Sequence, residues 1–283
     1  MAEFVMPSER DFGWALKPTA STQFGIFEKP NGQFCVVLNH ALLRGVTSEM
    51  LQWWFLNFPN LKVTLDDIPS YEGQSVPGYL LWHPSDHCDA TLEGRLGPDN
   101  TSRVGAKIHI QEAMQYNTYG LKYSVNAALE IFYCAADGWA MGRSIPVFGK
   151  AMCLRIHFKD VVHEGQKVGV HYHYEIVIGV NGSNPVSKAL NKRITGEYSP
   201  EFFEAWHLHN TIEVGTFENF LPSLYAQRGD ASGLRYAKAM DPLNGVSEVQ
   251  AAHSADLFET RLAGFKSAKN PYSFQGYDAR SFL

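Results

Sequence analysis

No two cysteines of the 283-residue chain form a C-x-x-C pair; Cys35, Cys88, Cys134 and Cys153 are scattered. That spacing excludes a zinc-thiolate knuckle and points to reduced, mostly buried thiols. No apolar run approaches the roughly 20 residues that cross a bilayer. The first residues, MAEFVMPSERDFGW, lack the basic start and apolar block of a secretory signal. The final SFL departs from the peroxisomal SKL address. Lys/Arg runs are missing and the net charge is −5, so no electrostatic footprint for nucleic acid is present. G-x-S-x-G, Walker and G-x-G-x-x-G motifs are absent too. Serine nucleophiles and nucleotide cofactors lose support. These absences set the expectation of a cytoplasmic protein that meets neither membrane nor nucleic acid.

What the chain does have is ring-bearing residues: 18 Phe, 13 Tyr and 6 Trp, or 13% aromatic. Two readings stay open. One is a large aromatic core. The other is a cavity for a flat, partly polar organic ligand, for which Tyr and Trp supply an apolar face and a polar handle.

The order of elements argues for an α+β fold. Residues 1–30, punctuated by Pro7, Pro18 and Pro30, read as an irregular arm. Gln33 to Leu38 reads as a short strand, and Thr47 to Phe58 as a helix capped by Thr47 or Ser48. Trp53, Trp54 and Phe55 on that helix cannot all face one core, and they leave room for a homodimer contact. Residues 61–81 read as a loop. Strand patterns follow at 106–112, 123–133, 150–159 and 168–180, separated by Gly and Asn turns. Strands without interposed helices predict an antiparallel sheet. Ser199-Pro200-Glu201 then opens a long helix that the sheet needs as a cover. Its predicted extent runs on through Leu221, with Phe202, Trp206, His209, Glu213 and Phe217 on one face. Residues 229–283 read as a tail, helical from Ser247 to Phe265. The expected division is 1–50 as an N-terminal accessory region and 51–283 as the catalytic domain.

Four segments carry candidate chemistry. His209 and Glu213, four apart on a helix, bring an imidazole and a carboxylate to one side, where they can share a divalent cation. A carboxylate on an otherwise aromatic face is costly to bury unless paired or metal-bound. In YLLWHPSDH (79–87), Pro84 disfavours helix at His83. At most one of His83 and His87 is then a ligand, and spacing does not choose between them. Glu112 stands in line with Ile108 and Ile110 on a strand. His171, His173 and Glu175 share one strand face, with Tyr172 and Tyr174 opposite. The H-x-H invites a cupin-like iron reading, although the acid follows too soon, and the tyrosines suit a pocket wall better.

Taken together, YLLWHPSDH (79–87), Glu112, HYHYE (171–175) and HLHNTIEVG (207–215) resemble the diacetylphloroglucinol hydrolase family, which includes phloretin hydrolase. The resemblance implies a helix-grip fold, like the birch-pollen allergens, in which a curved antiparallel sheet encloses a cavity around a long helix. It implies one Zn2+ held by His87, Glu112, His209 and Glu213, with His87 favoured over His83. Tyr79, His83, His157 and Tyr172 would bind substrate or move protons. The implied reaction hydrolyses the bond between an acyl group and a polyhydroxylated aromatic or related polyketide ring. The alternative is a metal-free helix-grip cyclase, isomerase or binding protein for a polyketide- or terpenoid-like ligand.

Overall fold

Alternation of apolar and polar residues builds long paired strands here, and their register decides where the chemistry falls. The computed structural model describes residues 3–237. In chain order the elements are β1 (Thr22–Glu28), β2 (Phe34–His40), β3 (Leu43–Arg44), α1 (Ser48–Asn57), β4 (Lys62–Asp66), β5 (Gln74–Pro77) and α2 (Gly78–Trp82). Then come β6 (His87–Glu93), β7 (Lys107–Ala113), α3 (Tyr116–Tyr119), β8 (Ser124–Ala135), β9 (Gly138–Ile145), β10 (Gly149–His163) and β11 (Gln166–Ile178). The chain continues with α4 (Pro185–Thr195), α5 (Pro200–Gly215), α6 (Phe217–Ala226) and β12 (Leu234–Ala237).

The large sheet is antiparallel in the order β1-β2-β11-β10-β9-β8-β7-β6, with β3 also paired to β11. A small second sheet, β12-β4-β5, lies apart from it. The β10–β11 hairpin closes on Glu164 and Gly165, both at positive φ (50° and 79°). Such a two-residue turn matches the twist of the strands it joins.

The large sheet must curl. Eight strands in sequence would span about 34 Å if flat, at about 4.8 Å per step. Yet both ends touch α5, a rod about 10–12 Å across. Thr22 of β1 lies 2.6 Å from His207 Nε2. His87 at the start of β6 has its ring 5.4 Å from that of His209. The sheet therefore wraps the helix, and the space left between them is the cavity.

α1 and α5 form where their caps dictate. The Thr47 hydroxyl accepts from Met50 N, and Ser199 Oγ accepts from Phe202 N with Pro200 next in line. The helix expected to run on through residue 221 is divided at Thr216. That hydroxyl donates to the Trp82 and Glu213 carbonyls, at 2.6 and 2.7 Å, and ties the α5–α6 junction to α2. On α1, Trp54 and Phe55 are fully buried, and Trp53 packs edge-on to Tyr225.

The N-terminal region corrects the expected reading. Residues 22–28, assigned to an irregular arm, form β1, and β1, β2 and β3 belong to the large sheet. The sheet thus runs across the expected boundary at residue 50. Even residues 10–14 are anchored. Arg10 Nη1 donates to the Pro84 and His87 carbonyls at 3.1 and 3.2 Å, and Trp14 Nε1 to Leu81 O at 2.9 Å. A few side chains among polar neighbours hold this segment, so no periodicity betrays it. Segment 61–81, read as loop, contains β4, β5 and most of α2. Of the tail expected at 229–283, Leu234–Ala237 forms β12 beside β4, and the rest from residue 238, with the expected helix at 247–265, lies outside the described residues.

Candidate metal centre and cavity

Two local rules bring His87, Glu112 and His209 close enough together to share a cation, with Glu213 beside them. Across β6 and β7 the register pairs His87 with Glu112. Along α5 the separation of four stacks His209 over Glu213. His87 Nε2 lies 3.7 Å from a carboxylate oxygen of Glu112 and 3.7 Å from one of Glu213. His209 Nε2 lies 3.8 and 3.9 Å from the other oxygens of the same two acids. All four residues are buried.

These distances are too long for hydrogen bonds. They approach the edges of a coordination tetrahedron, since donors on zinc at about 2.0–2.2 Å lie about 3.3–3.6 Å apart. His87 Nδ1 faces the Tyr79 carbonyl at 2.8 Å, which fixes the proton on that nitrogen. His87 Nε2 is buried without a hydrogen-bond partner among the described residues. An orphaned buried nitrogen costs about 1–3 kcal/mol, and here its lone pair aims at two carboxylates and a second imidazole. Nitrogen and oxygen donors of this kind suit zinc or a similar divalent ion. The residues fit a cation.

The surroundings prepare each donor. His209 Nδ1 bonds Asp86 Oδ2 at 3.0 Å, the carboxylate–histidine arrangement that orients a metal ligand. Glu213 accepts from Asn210 Nδ2 at 2.9 Å, and Glu112 accepts from the Tyr79 hydroxyl. The Tyr79 ring stacks on His87 at 3.9 Å. Burial, then the neighbouring His209 and His83, holds the His87 pKa well below its ordinary value, leaving the neutral imidazole that ligates metals. Burial opposes protonation of His209 as well. There the Asp86 hydrogen bond and the charges of Glu112, Asp86 and Glu213 outweigh it and push the pKa up to about 9. Glu213 is raised too, by burial and then by Glu112, against the pull of His209. Without a cation, the buried Glu213 carboxyl beside Glu112 holds on to its proton. Asp86→Asn should leave the four donors in place but weaken metal binding about 10–100-fold, measured by competition with a fluorescent chelator. Unchanged affinity would remove Asp86 from this role.

The family profile of the DAPG hydrolase PhiG domain matches residues 9–226. The chain belongs to the DAPG hydrolase family. No curated protein matches it significantly. Among solved structures, the chain is similar to Ara h 8.0201, at 10% identity and a TM-score of 0.31, over 69% of this chain and 100% of that one. It is also similar to the protein of unknown function SA2116 from Staphylococcus aureus, at 10% identity and a TM-score of 0.32, over 66% and 94%.

In this DAPG hydrolase family member Glu112, His209 and Glu213 line a cavity of about 410 Å³ between the sheet and α5, with His87 buried behind them. Its size is that of an ordinary small-molecule site. Ile110 and Glu112 line it together, as strand alternation requires. Tyr79, Tyr172, Trp82 and Trp139 also reach it. The Tyr172 hydroxyl is buried with no hydrogen-bond partner among the described residues. Burial and the nearby Glu213 raise its pKa well above the ordinary value, so it stays a donor.

Two expected site residues stand elsewhere. His83 lies behind the donors: its ring stacks on His209 at 4.7 Å, and its Nδ1 accepts from the Asp86 backbone at 3.1 Å. Its Nε2 lies 3.4 Å from Asp86 Oδ2, and with Asp86 and His209 it forms a second group that could hold a cation; like His87, it is not among the cavity-lining residues. His157 alternates with Ile156 and Phe158 on β10, so Leu154 and Ile156 line the cavity and His157 takes the opposite face. Its assignment to substrate or proton transfer is therefore withdrawn. His157→Ala should leave kcat/KM close to that of the parent, and a collapse of kcat at unchanged KM would restore the residue to the chemistry.

His171 and His173 likewise alternate away from Tyr172 and Tyr174, and His173 Nδ1 meets Asn39 at 2.7 Å. Neither belongs to a possible metal cluster among the described residues. Sequence reasoning missed Asp86, Asn210 and Trp139. Asp86 was within reach, since it directly precedes His87. Trp139 sits on β9, a strand with no clean alternation.

Proposed function

We propose that this protein hydrolyses the carbon–carbon bond between an acyl group and a polyhydroxylated aromatic ring, with a zinc ion held by His87, Glu112, His209 and Glu213. The observation that carries this reading is the meeting of four buried donors, one of them an orphaned imidazole nitrogen, beside an aromatic cavity that three of them line. The family match supports it. In this reading the curled sheet around α5 is a helix-grip chamber.

The balance is simple: an acyl arene and water give the arene and a carboxylic acid. An aryl carbanion is a poor leaving group. The acyl-bearing ring carbon must first gain a proton, which makes the substrate a β-diketone and its leaving group an enolate. When bound, the cation supplies Lewis acidity and lowers the pKa of water. The chain's own residues do the rest. Tyr172, whose hydroxyl has no protein partner, holds a ring or acyl oxygen and delivers its proton toward the ring. Tyr79 fixes Glu112 in place. The walls exclude water from the enolate, and the edges of Trp82 and Trp139 grip the flat ring. In this reading proton transfer rests with Tyr172, and His157, on the outer face of β10, takes no part.

Purified protein should contain one divalent metal per chain and release a carboxylic acid from acylphloroglucinols. Chelation should stop the release and zinc should restore it. A protein that binds these compounds but, with or without metal, releases no acid would instead support the cyclase or binding-protein alternative.

A further inference from the structure

The cavity has a second end. Its donors are buried, whereas Arg143, Tyr198 and Phe202 are exposed or half-buried lining residues that lie away from them. They come from the later part of β9 and from the segment entering α5. The distance follows from element geometry. Arg143 follows Gly142, which pairs with Glu130 and through it with Lys107, so it stands about four residues along β7 from the level of Glu112, and Phe202 lies seven and eleven residues along α5 from His209 and Glu213. At about 3.3 Å per strand residue and 1.5 Å per helix residue, mouth and donors are on the order of 15 Å apart. Between them the walls are apolar: Val36, Leu129, Met141, Leu154, Ile156 and Ile176.

Among the lining residues Arg143 is the one Lys or Arg. It forms no hydrogen bond or ion pair among the described residues, whereas nearby Lys122 is already paired with Glu201. Burial and then the Glu197 carboxylate raise the Tyr198 pKa, and the Arg143 charge opposes them. A guanidinium and a phenol therefore share the rim of an apolar tunnel, and the guanidinium forms no ion pair among the described residues.

We infer that the natural substrate is an acylated ring whose acyl chain is long enough to reach the mouth and ends in an anionic group, a carboxylate, bound by Arg143 with Tyr198. The ring and its acyl bond lie at the donors, the chain runs along the apolar wall, and its charged end stays at the rim. Arg pairs with carboxylates through two parallel N–H···O bonds, which gives direction as well as attraction. This rests on the proposed hydrolysis only for the identity of the head group.

The test uses acylphloroglucinols with short, medium and long acyl chains, each made as the terminal carboxylate and as its methyl ester. Binding is read from quenching of tryptophan fluorescence, since Trp82, Trp139 and Trp206 line the cavity. Hydrolysis is read separately as kcat/KM. The intact protein should prefer the carboxylate by about tenfold in Kd at the chain length that reaches the rim, the size expected of a charge-assisted pair at a partly wet site. Arg143→Ala should erase the preference, Arg143→Lys should keep part of it, and Arg143→Glu should reverse it. Methyl-ester binding should be the same in all four proteins, which also shows that the variants fold. No preference in the intact protein, or a preference that survives Arg143→Ala, would overturn the inference. Preferential binding without hydrolysis would leave it standing and sink the hydrolase reading instead.

Discussion

Replacing His209 with alanine is expected to abolish stoichiometric metal and hydrolysis together. His209 supplies one of four donors and touches both carboxylates, at 3.8 and 3.9 Å. Its loss leaves Glu112 and Glu213 facing each other with one imidazole between them. A cation contributes several kcal/mol to stabilising charge at the reacting centre, so kcat should fall by on the order of a thousandfold or more. The variant also strands Asp86, buried and deprived of its partner, which costs stability. His209→Gln, which keeps a polar side chain of similar length, separates the two effects. It should stay folded by far-UV circular dichroism and still lack metal. Full activity with a full metal complement in a folded His209 variant would mean that the cation sits elsewhere.

Tyr172→Phe makes the second large prediction, and stability and activity should part company. The hydroxyl it removes is buried and unpartnered among the described residues. Losing it should leave the melting temperature unchanged or slightly raised, because no hydrogen bond is broken and a desolvated group is gone. Yet kcat/KM should fall about a hundredfold or more, the usual loss for a group that positions or transfers a proton in the transition state. Metal content should not change, since Tyr172 is not a donor. A variant as active as the parent would show that the orphaned hydroxyl meets nothing in the reaction.

Much of the site was legible because two of its rules are local. The separation of four on a capped helix places His209 over Glu213 whatever the rest of the fold does. Strand alternation places Glu112 with Ile110, and Tyr172 with Tyr174, on the inner faces. The partnership of these two groups depends on the β6–β7 register and the curl of the sheet, which no window of sequence contains. The resemblance to a family supplied it, and His87 against His83 was chosen by that resemblance alone. Alternation also held the answer for His157. It stands next to inward-facing Ile156, so it must face outward, yet the resemblance assigned it to chemistry. β1 went unseen for a different reason. It is an edge strand with mixed burial, held to β2 by its backbone more than by a periodic apolar face. The break at Thr216 depends on a hydroxyl finding the carbonyl of Trp82, far away in the chain.

The most direct test of the central claim is anomalous diffraction from crystals of the purified protein, collected on both sides of the zinc absorption edge. One strong peak should lie about 2.0–2.2 Å from Nε2 of His87, Nε2 of His209 and a carboxylate oxygen of each of Glu112 and Glu213. A fully active crystal with no anomalous peak among these four side chains, or with its only metal at another position, would contradict the account.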